Sequence, residues 1–312
     1  MNGVHHDILE APPSALEFSR LWHISRPVVI RGKAMWSNRY LLEHMGDKSF
    51  TVAVTPNGYA DAVTLGPDGS LYFVEPYIEQ RTMSSFLCEL ESTNATEACY
   101  LQSQNGNLYS STFFHPDMQD SPTEFESLRA DVPCELDWCS QAFDRHPDAV
   151  NLWIGNSKSI TSIHNDPYEN IYHVVRGCKT FLLLPPTEGW CLRERLYPHA
   201  TYIRPSEGSP LILTPSPSST PMVRWSSITH PERPGALPAS AHPITISLQE
   251  GETLYLPAGW WHHVRQSDEI TVALNWWYDV EGRGATWVWL NLLRGIGNVP
   301  LGNGDEEDQQ PT

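Results

Sequence analysis

The sequence predicts a mainly β fold, a jelly roll or barrel-like sandwich, with an α/β region before it and one helix after it. Three observations carry this. From Asn151 onward, short segments rich in β-branched and aromatic residues recur between turn residues: 151–155, 161–165, 171–176, 180–184, 244–248, 253–256, 262–266 and 270–278. Such spacing fits strands of a closed or double-sheet architecture. The 26 prolines interrupt the chain too often for long helices. Apolar residues make up 40% and charged residues 18%, with 12 Trp and 12 Tyr, which suits a packed core rather than a disordered chain.

The elements follow in order. SALEFSRLWHI (14–24) reads as a helix: Ser14 caps it, Glu17 completes a capping box, and Leu16, Leu21 and Ile24 supply apolar contacts. RPVVIRG (26–32) reads as a buried strand stopped by Gly32, and FTVAVTPNGYADAV (50–63) as a strand, a Pro-Asn-Gly turn and a second short segment. MSSFLCELES (83–92) reads as a helix and CYLQSQN (99–105) as a strand. Residues 112–148 are polar and proline-punctuated, with helical pieces at FESLRADV and CSQAFDRH. Within the β region lies 205–243, rich in Pro and Ser, a long insertion read as a mobile loop or a lid. ATWVWLNLLRGIG (285–297) is an apolar helical segment, and GNGDEEDQQPT ends the chain as a disordered acidic tail. The chain therefore divides into an α/β region packing on the core (1–110), the β core (111–280), a helix (281–300) and the tail (301–312).

Net charge is −17, with 37 acidic against 20 basic residues. This balance disfavours nucleic-acid backbone and anionic lipid, and suits a basic partner or simple solubility. No apolar run approaches membrane-spanning length, and the N-terminus lacks a signal-peptide pattern. A cytoplasmic location, or a nuclear one, is expected. The six cysteines form no CxxC pair and read as core or bystander thiols.

Chemistry concentrates in TSIHNDPYEN (161–170). Side chains two apart on a strand share a face, so His164 and Asp166 project together. A carboxylate inside a sandwich is costly unless it meets a cation, and imidazole with carboxylate suits Fe(II), Mn(II) or Zn(II). A third donor comes from LYLPAGWWHHVRQ, where neighbours face opposite ways, so only one of His262 and His263 can reach the site. Two histidines and a carboxylate form a facial triad that leaves positions open for small ligands. Lys179 opens an apolar strand, either as a guard at a strand end or as the partner of an anionic cosubstrate held inside the barrel.

HNDPYENIYHVVRGCKTFLLLPP, GETLYLPAGWWHHV and ALNWWYD resemble the Jumonji-C (JmjC) family of Fe(II)- and 2-oxoglutarate-dependent oxygenases. That family's core is a double-stranded β-helix, a cupin-like jelly roll. With TVAVTPNGYADAV, YLQSQN and HPDAVNLWIGN, the resemblance spans 10–293 and is weakest across 206–243. It extends to the cytosolic lysyl-hydroxylase branch that acts on developmentally regulated GTP-binding proteins.

The resemblance implies iron ligation by His164, Asp166 and His262, with His263 turned away into packing or hydrogen bonding. It implies 2-oxoglutarate held by Lys179, Thr161 and Tyr100, and amides from Asn170 and Asn275 near iron and cosubstrate. With oxygen, this centre would hydroxylate C3 of a lysine in a protein. N-Methyl-lysine demethylation is the alternative within the same chemistry. A catalytically silent interaction protein is the alternative of another class, and the intact His164, Asp166, His262 and Lys179 speak against it. Trp260, Trp261, Trp276 and Trp277 read as core fillers. The helix at 285–297, with Trp287, Trp289, Leu290, Leu292 and Leu293, would pack on its own barrel or form a homodimer interface.

Overall fold

The computed structural model describes residues 5–33, 36–104, 106–115, 122–279, 284–295 and 298–302. Its centre is two facing β-sheets. One orders its strands Asp7–Leu9, Val28–Ile30, Thr253–Leu256, Tyr168–Arg176, Thr271–Asp279, Ala149–Gly155 and Tyr109–Ser110. The other orders Ile244–Leu248, Lys179–Leu184, Trp261–Gln266, Ile160–Asn165 and Tyr59–Ala60. Every segment expected as a strand between 151 and 278 lies in one of these sheets, four in each. Those four pair antiparallel throughout, as a jelly roll requires.

Period-2 alternation sorts the side chains. On Thr271–Asp279, Val272, Leu274, Trp276 and Tyr278 pack into the layer shared with the N-terminal helices. Ala273 and Trp277 face the space between the sheets, where Val174, Phe181, Leu183, Ile246 and Val264 meet them. Burying such side chains contributes roughly 1.5–3 kcal/mol each, so this layer stiffens the walls that hold the site. All four tryptophans read as core fillers are buried.

The helix Ala15–Ile24 has the expected capping box, Ser14 and Glu17 exchanging hydrogen bonds. Its Phe18 packs edge-on against Trp138, Phe143 and Tyr255, docking the helix on the first sheet. The helix Met83–Glu91 and the strands Ser49–Thr55 and Ala98–Tyr100 also form. FESLRADV forms a 3-10 turn at Glu126–Asp131, and CSQAFDRH contributes to a helix at Asp137–Phe143. Among the described residues no helix is long and apolar enough to cross a membrane.

Three expectations change. Residues 1–110 do more than pack on the core: they add Asp7–Leu9, Val28–Ile30 and Tyr109–Ser110 to one sheet and Tyr59–Ala60 to the other. The insertion 205–243 is not a free loop. Its Ile212–Pro215 pairs with His199–Ile203, which runs parallel to Leu71–Glu75, and its Val223–Trp225 pairs with Arg195–Tyr197. Backbone hydrogen bonds to two neighbouring segments hold what its proline content made look loose. The acidic tail, drawn from 301, is still attached at its start, where Leu301 bridges to Leu196; residues 303–312 lie outside the described residues. The C-terminal helix runs Ala285–Gly295 with Val288, Trp289 and Leu292 exposed. The side chains of Trp287 and Leu293 lie outside the described residues.

Candidate metal centre

Asp166 lies one residue past the end of Ile160–Asn165, and His164 is the register partner of His262 on Trp261–Gln266. Cross-strand pairing sets the two imidazoles with ring centroids 4.2 Å apart. Asp166 reaches both: Oδ1 is 3.7 Å from His164 Nε2, and Oδ2 is 3.6 Å from His262 Nε2. The three ligand atoms lie within 4.8 Å of one another, a spacing that a single metal ion can bridge. Gly259 N donates to Asp166 O at 2.9 Å and so ties the Asp166 loop to the turn before His262.

The histidine tautomers follow from their neighbours. His164 Nδ1 is 2.9 Å from Ser162 O, and His262 Nδ1 is 3.0 Å from Trp260 O. A carbonyl oxygen only accepts, so each Nδ1 carries a proton and each Nε2 is the atom left to face inward. Burial opposes ionisation of Asp166, but His164, which Asp166 pushes toward its charged form against its own burial, overcomes this and holds the Asp166 carboxyl at about 2. Burial, aided by His164, pushes His262 down to about 4 and keeps it a neutral donor. A preformed anion between two inward-facing Nε2 atoms is the donor set of a divalent metal, which would displace the proton that Asp166 draws to His164.

A cavity of about 270 Å³ opens on this cluster. Tyr100, Thr161, Asn170, Lys179 and Asn275 line it, so all eight residues expected at the site border one space. Lys179 is 1% exposed, and its Nζ donates to Tyr100 Oη at 2.8 Å and Tyr172 Oη at 2.7 Å. Among the described residues no carboxylate pairs with it. Burial pushes its ammonium down to about 7. An enclosed ammonium with only hydroxyl partners leaves room for an anion. Asn275 Nδ2 donates to Asn170 Oδ1 at 3.1 Å, while its Oδ1 accepts from Asn151 Nδ2 at 3.2 Å and Trp153 Nε1 at 2.9 Å. This chain of amides fixes the cavity wall across three adjacent strands.

His263 faces the other way. It is 1% exposed, and its Nε2 lies 3.5 Å from Glu232 Oε2 in the insertion. Thr161 and His164 are three apart, which simple alternation would send to opposite faces. A register shift between them turns both toward the cavity. Tyr172 was not anticipated, although it stands two residues after Asn170 on one strand and so shares its face. Trp225, from the insertion, was not legible at all. Its ring stacks on His164 at 6.0 Å with an interplanar angle of 9°, and its Nε1 donates to Ser162 Oγ at 3.2 Å.

A jelly roll with two histidines and a carboxylate at the edge of an internal cavity defines the architecture of a cupin-type oxygenase. Residues 13–283 match the cupin-like domain family, and the chain belongs to the JmjC group of that family, which are 2-oxoglutarate-dependent oxygenases. It is 34% identical over 287 residues to the Homo sapiens bifunctional peptidase and (3S)-lysyl hydroxylase JMJD7, covering 88% of this chain and 84% of that protein. It is also 34% identical over 305 residues to the Arabidopsis thaliana lysine-specific demethylase JMJ32, covering 89% and 83%. The Dictyostelium discoideum JmjC domain-containing protein E is 31% identical over 317 residues, covering 90% and 86%.

Proposed function

We propose that this chain is an Fe(II)- and 2-oxoglutarate-dependent hydroxylase acting at C3 of a lysine in a cytoplasmic protein, a developmentally regulated GTP-binding protein. The observation that carries the oxygenase chemistry is one cavity with a His-Asp-His cluster on its wall and the uncompensated Lys179 ammonium also lining it. The lysine assignment is supported by the human relative, whose name specifies (3S)-lysyl hydroxylation. The net charge of −17 suits a basic target segment.

His164 and His262 would hold iron through Nε2 and Asp166 through a carboxylate oxygen. Iron with 2-oxoglutarate and oxygen supplies the oxidising power to replace a C–H by a C–OH. The chain's own residues do the placing. Lys179, with the hydroxyls of Thr161, Tyr100 and Tyr172, would hold the far carboxylate of 2-oxoglutarate; charge-assisted bonds of this kind contribute roughly 1.5–3 kcal/mol each. Asn170 and Asn275 keep that wall from shifting. Phe181, Val264 and Trp277 exclude water from the enclosed end. The exposed Val288, Trp289 and Leu292 support a homodimer through the C-terminal helix.

A second reading is N-methyl-lysine demethylation, which the plant relative's name favours at the same identity. One experiment separates the two. Protein purified without oxygen is given Fe(II), 2-oxoglutarate, oxygen and lysine peptides from developmentally regulated GTP-binding proteins, unmodified or N-methylated. One added oxygen atom on lysine, with succinate and without formaldehyde, supports hydroxylation. Formaldehyde from the methylated peptides alone supports demethylation. Neither product, and no iron bound, refutes both.

A further inference from the structure

Asp61 also borders the cavity, outside the ligand cluster. It sits between Tyr59–Ala60 and Ala62–Leu65 with φ of 51°, a left-handed conformation that Asp and Asn tolerate better than other side-chain-bearing residues. The turn is pinned to the metal-bearing strand twice. Tyr59 and Ala60 pair in parallel with Ile160 and Thr161, and Ser162 Oγ donates to Asp61 O at 2.7 Å. A strained residue fixed this firmly, at a cavity, marks a functional position.

Its carboxylate is under-used by the protein. Oδ2 accepts from Gln102 Nε2 at 3.1 Å, while among the described residues Oδ1 accepts no hydrogen bond and no Lys or Arg pairs with either oxygen. Two other shielded acids have cationic partners: Glu194 has Arg224 and Arg294, and Glu97 has Arg204. Burial pushes the Asp61 carboxyl up, and Glu75 adds to this, so an incoming cation would be welcome there. Phe73 and Trp225, with ring centroids 4.7 Å apart, line the same space. Apolar rings beside a lone carboxylate match an alkyl stem that ends in a charge.

We infer that Asp61 is the specificity-determining residue for the substrate, its carboxylate receiving the ε-ammonium of the target lysine while the stem lies along Phe73 and Trp225. This rests on the lysyl-hydroxylase reading and sharpens it. An ammonium held at Asp61 is fixed beside the ligand cluster and not in it, which leaves a carbon of the stem for oxidation.

The test is a ratio of affinities on the full chain, loaded with Fe(II) and 2-oxoglutarate in the absence of oxygen. The probe is the lysine peptide that the wild type modifies best from a random library. It is compared by calorimetry with the same peptide carrying norleucine or N-trimethyl-lysine at that position. The wild type should prefer lysine over norleucine by roughly 10- to 100-fold. Asp61→Asn, which suits the same turn, should bring that preference within about 3-fold. Both values are dissociation constants, so a smaller folded fraction does not change their ratio.

An undiminished lysine preference in Asp61→Asn overturns the inference and leaves lysyl hydroxylation standing. Tighter binding of the trimethyl peptide by the wild type also overturns it, because that cation has no N–H to donate. A library in which no lysine gains oxygen overturns the hydroxylase reading, and this inference with it.

Discussion

The strand Trp261–Gln266 carries two adjacent histidines, and its two faces put them to different uses. Burial pushes both down to about 4. On the inner face, His262 has its proton fixed by Trp260 O and its lone pair turned toward Asp166 and His164. On the outer face, His263 meets Leu182's strand and Glu232, which also pairs with His230 at 3.6 Å, but among the described residues their donor atoms do not close into one cluster as those of His164, Asp166 and His262 do. Low basicity is therefore not what makes a ligand. Convergence of three donors, with the tautomer set from behind, is what the inner face has and the outer face lacks.

The largest expected effect removes the inner histidine. His262→Ala should lose metal and lower 2-oxoglutarate turnover by at least about 10³-fold, because a Lewis-acid centre is worth several kcal/mol. His263→Ala should retain metal and lose stability instead. Metal content and succinate formation on both variants check this, and equal metal loss would erase the distinction between the faces.

Next comes the lysine on the inner side of the neighbouring strand. Lys179→Met keeps the stem but removes the charge, so KM for 2-oxoglutarate should rise roughly 10- to 100-fold. The same contact sets a pH dependence. The free ammonium titrates at about 7, and a bound dicarboxylate favours its charged form. Affinity for 2-oxoglutarate is then full below pH 7 and falls as pH rises through 7, by up to about tenfold per unit. A pH-independent KM between 6 and 9 would remove Lys179 from this role.

The smallest effect belongs to the outer face. Glu232→Gln weakens a partly exposed pairing with His263 and Arg265 and should cost about 0.5–1 kcal/mol. That corresponds to roughly 1–4 °C in Tm for a chain of this size, with metal content unchanged. A thermal melt checks it. Metal loss in this variant would show that the two faces are coupled.

The barrel was legible because its strands are short apolar runs between turn residues, and that pattern survives without knowledge of their partners. His164, Asp166 and Lys179 stood out because charged groups in such runs need a reason. The choice between His262 and His263 did not follow from alternation alone, since alternation says only that they differ. Thr161 reaches the cavity through a register shift, which leaves no mark in the residue types. Tyr172 could have been found by stepping two residues from Asn170. Trp225 and Asp61 could not, because their places depend on pairings with the strand Ile160–Asn165 across 63 residues for Trp225 and 101 for Asp61. The insertion hid its strands behind a composition that ordinarily means a loose loop.

The pairing of His164 with His262 also sets a clock. Asp166 leaves the ribosome 96 residues ahead of His262. At about 5–20 residues per second, the first two donors wait roughly 5–20 s for the third. Until His262 emerges and its strand docks, the nascent chain offers a metal only a two-point hold. A metal held by all three donors would thus be loaded late, after the strand that carries the third has been made.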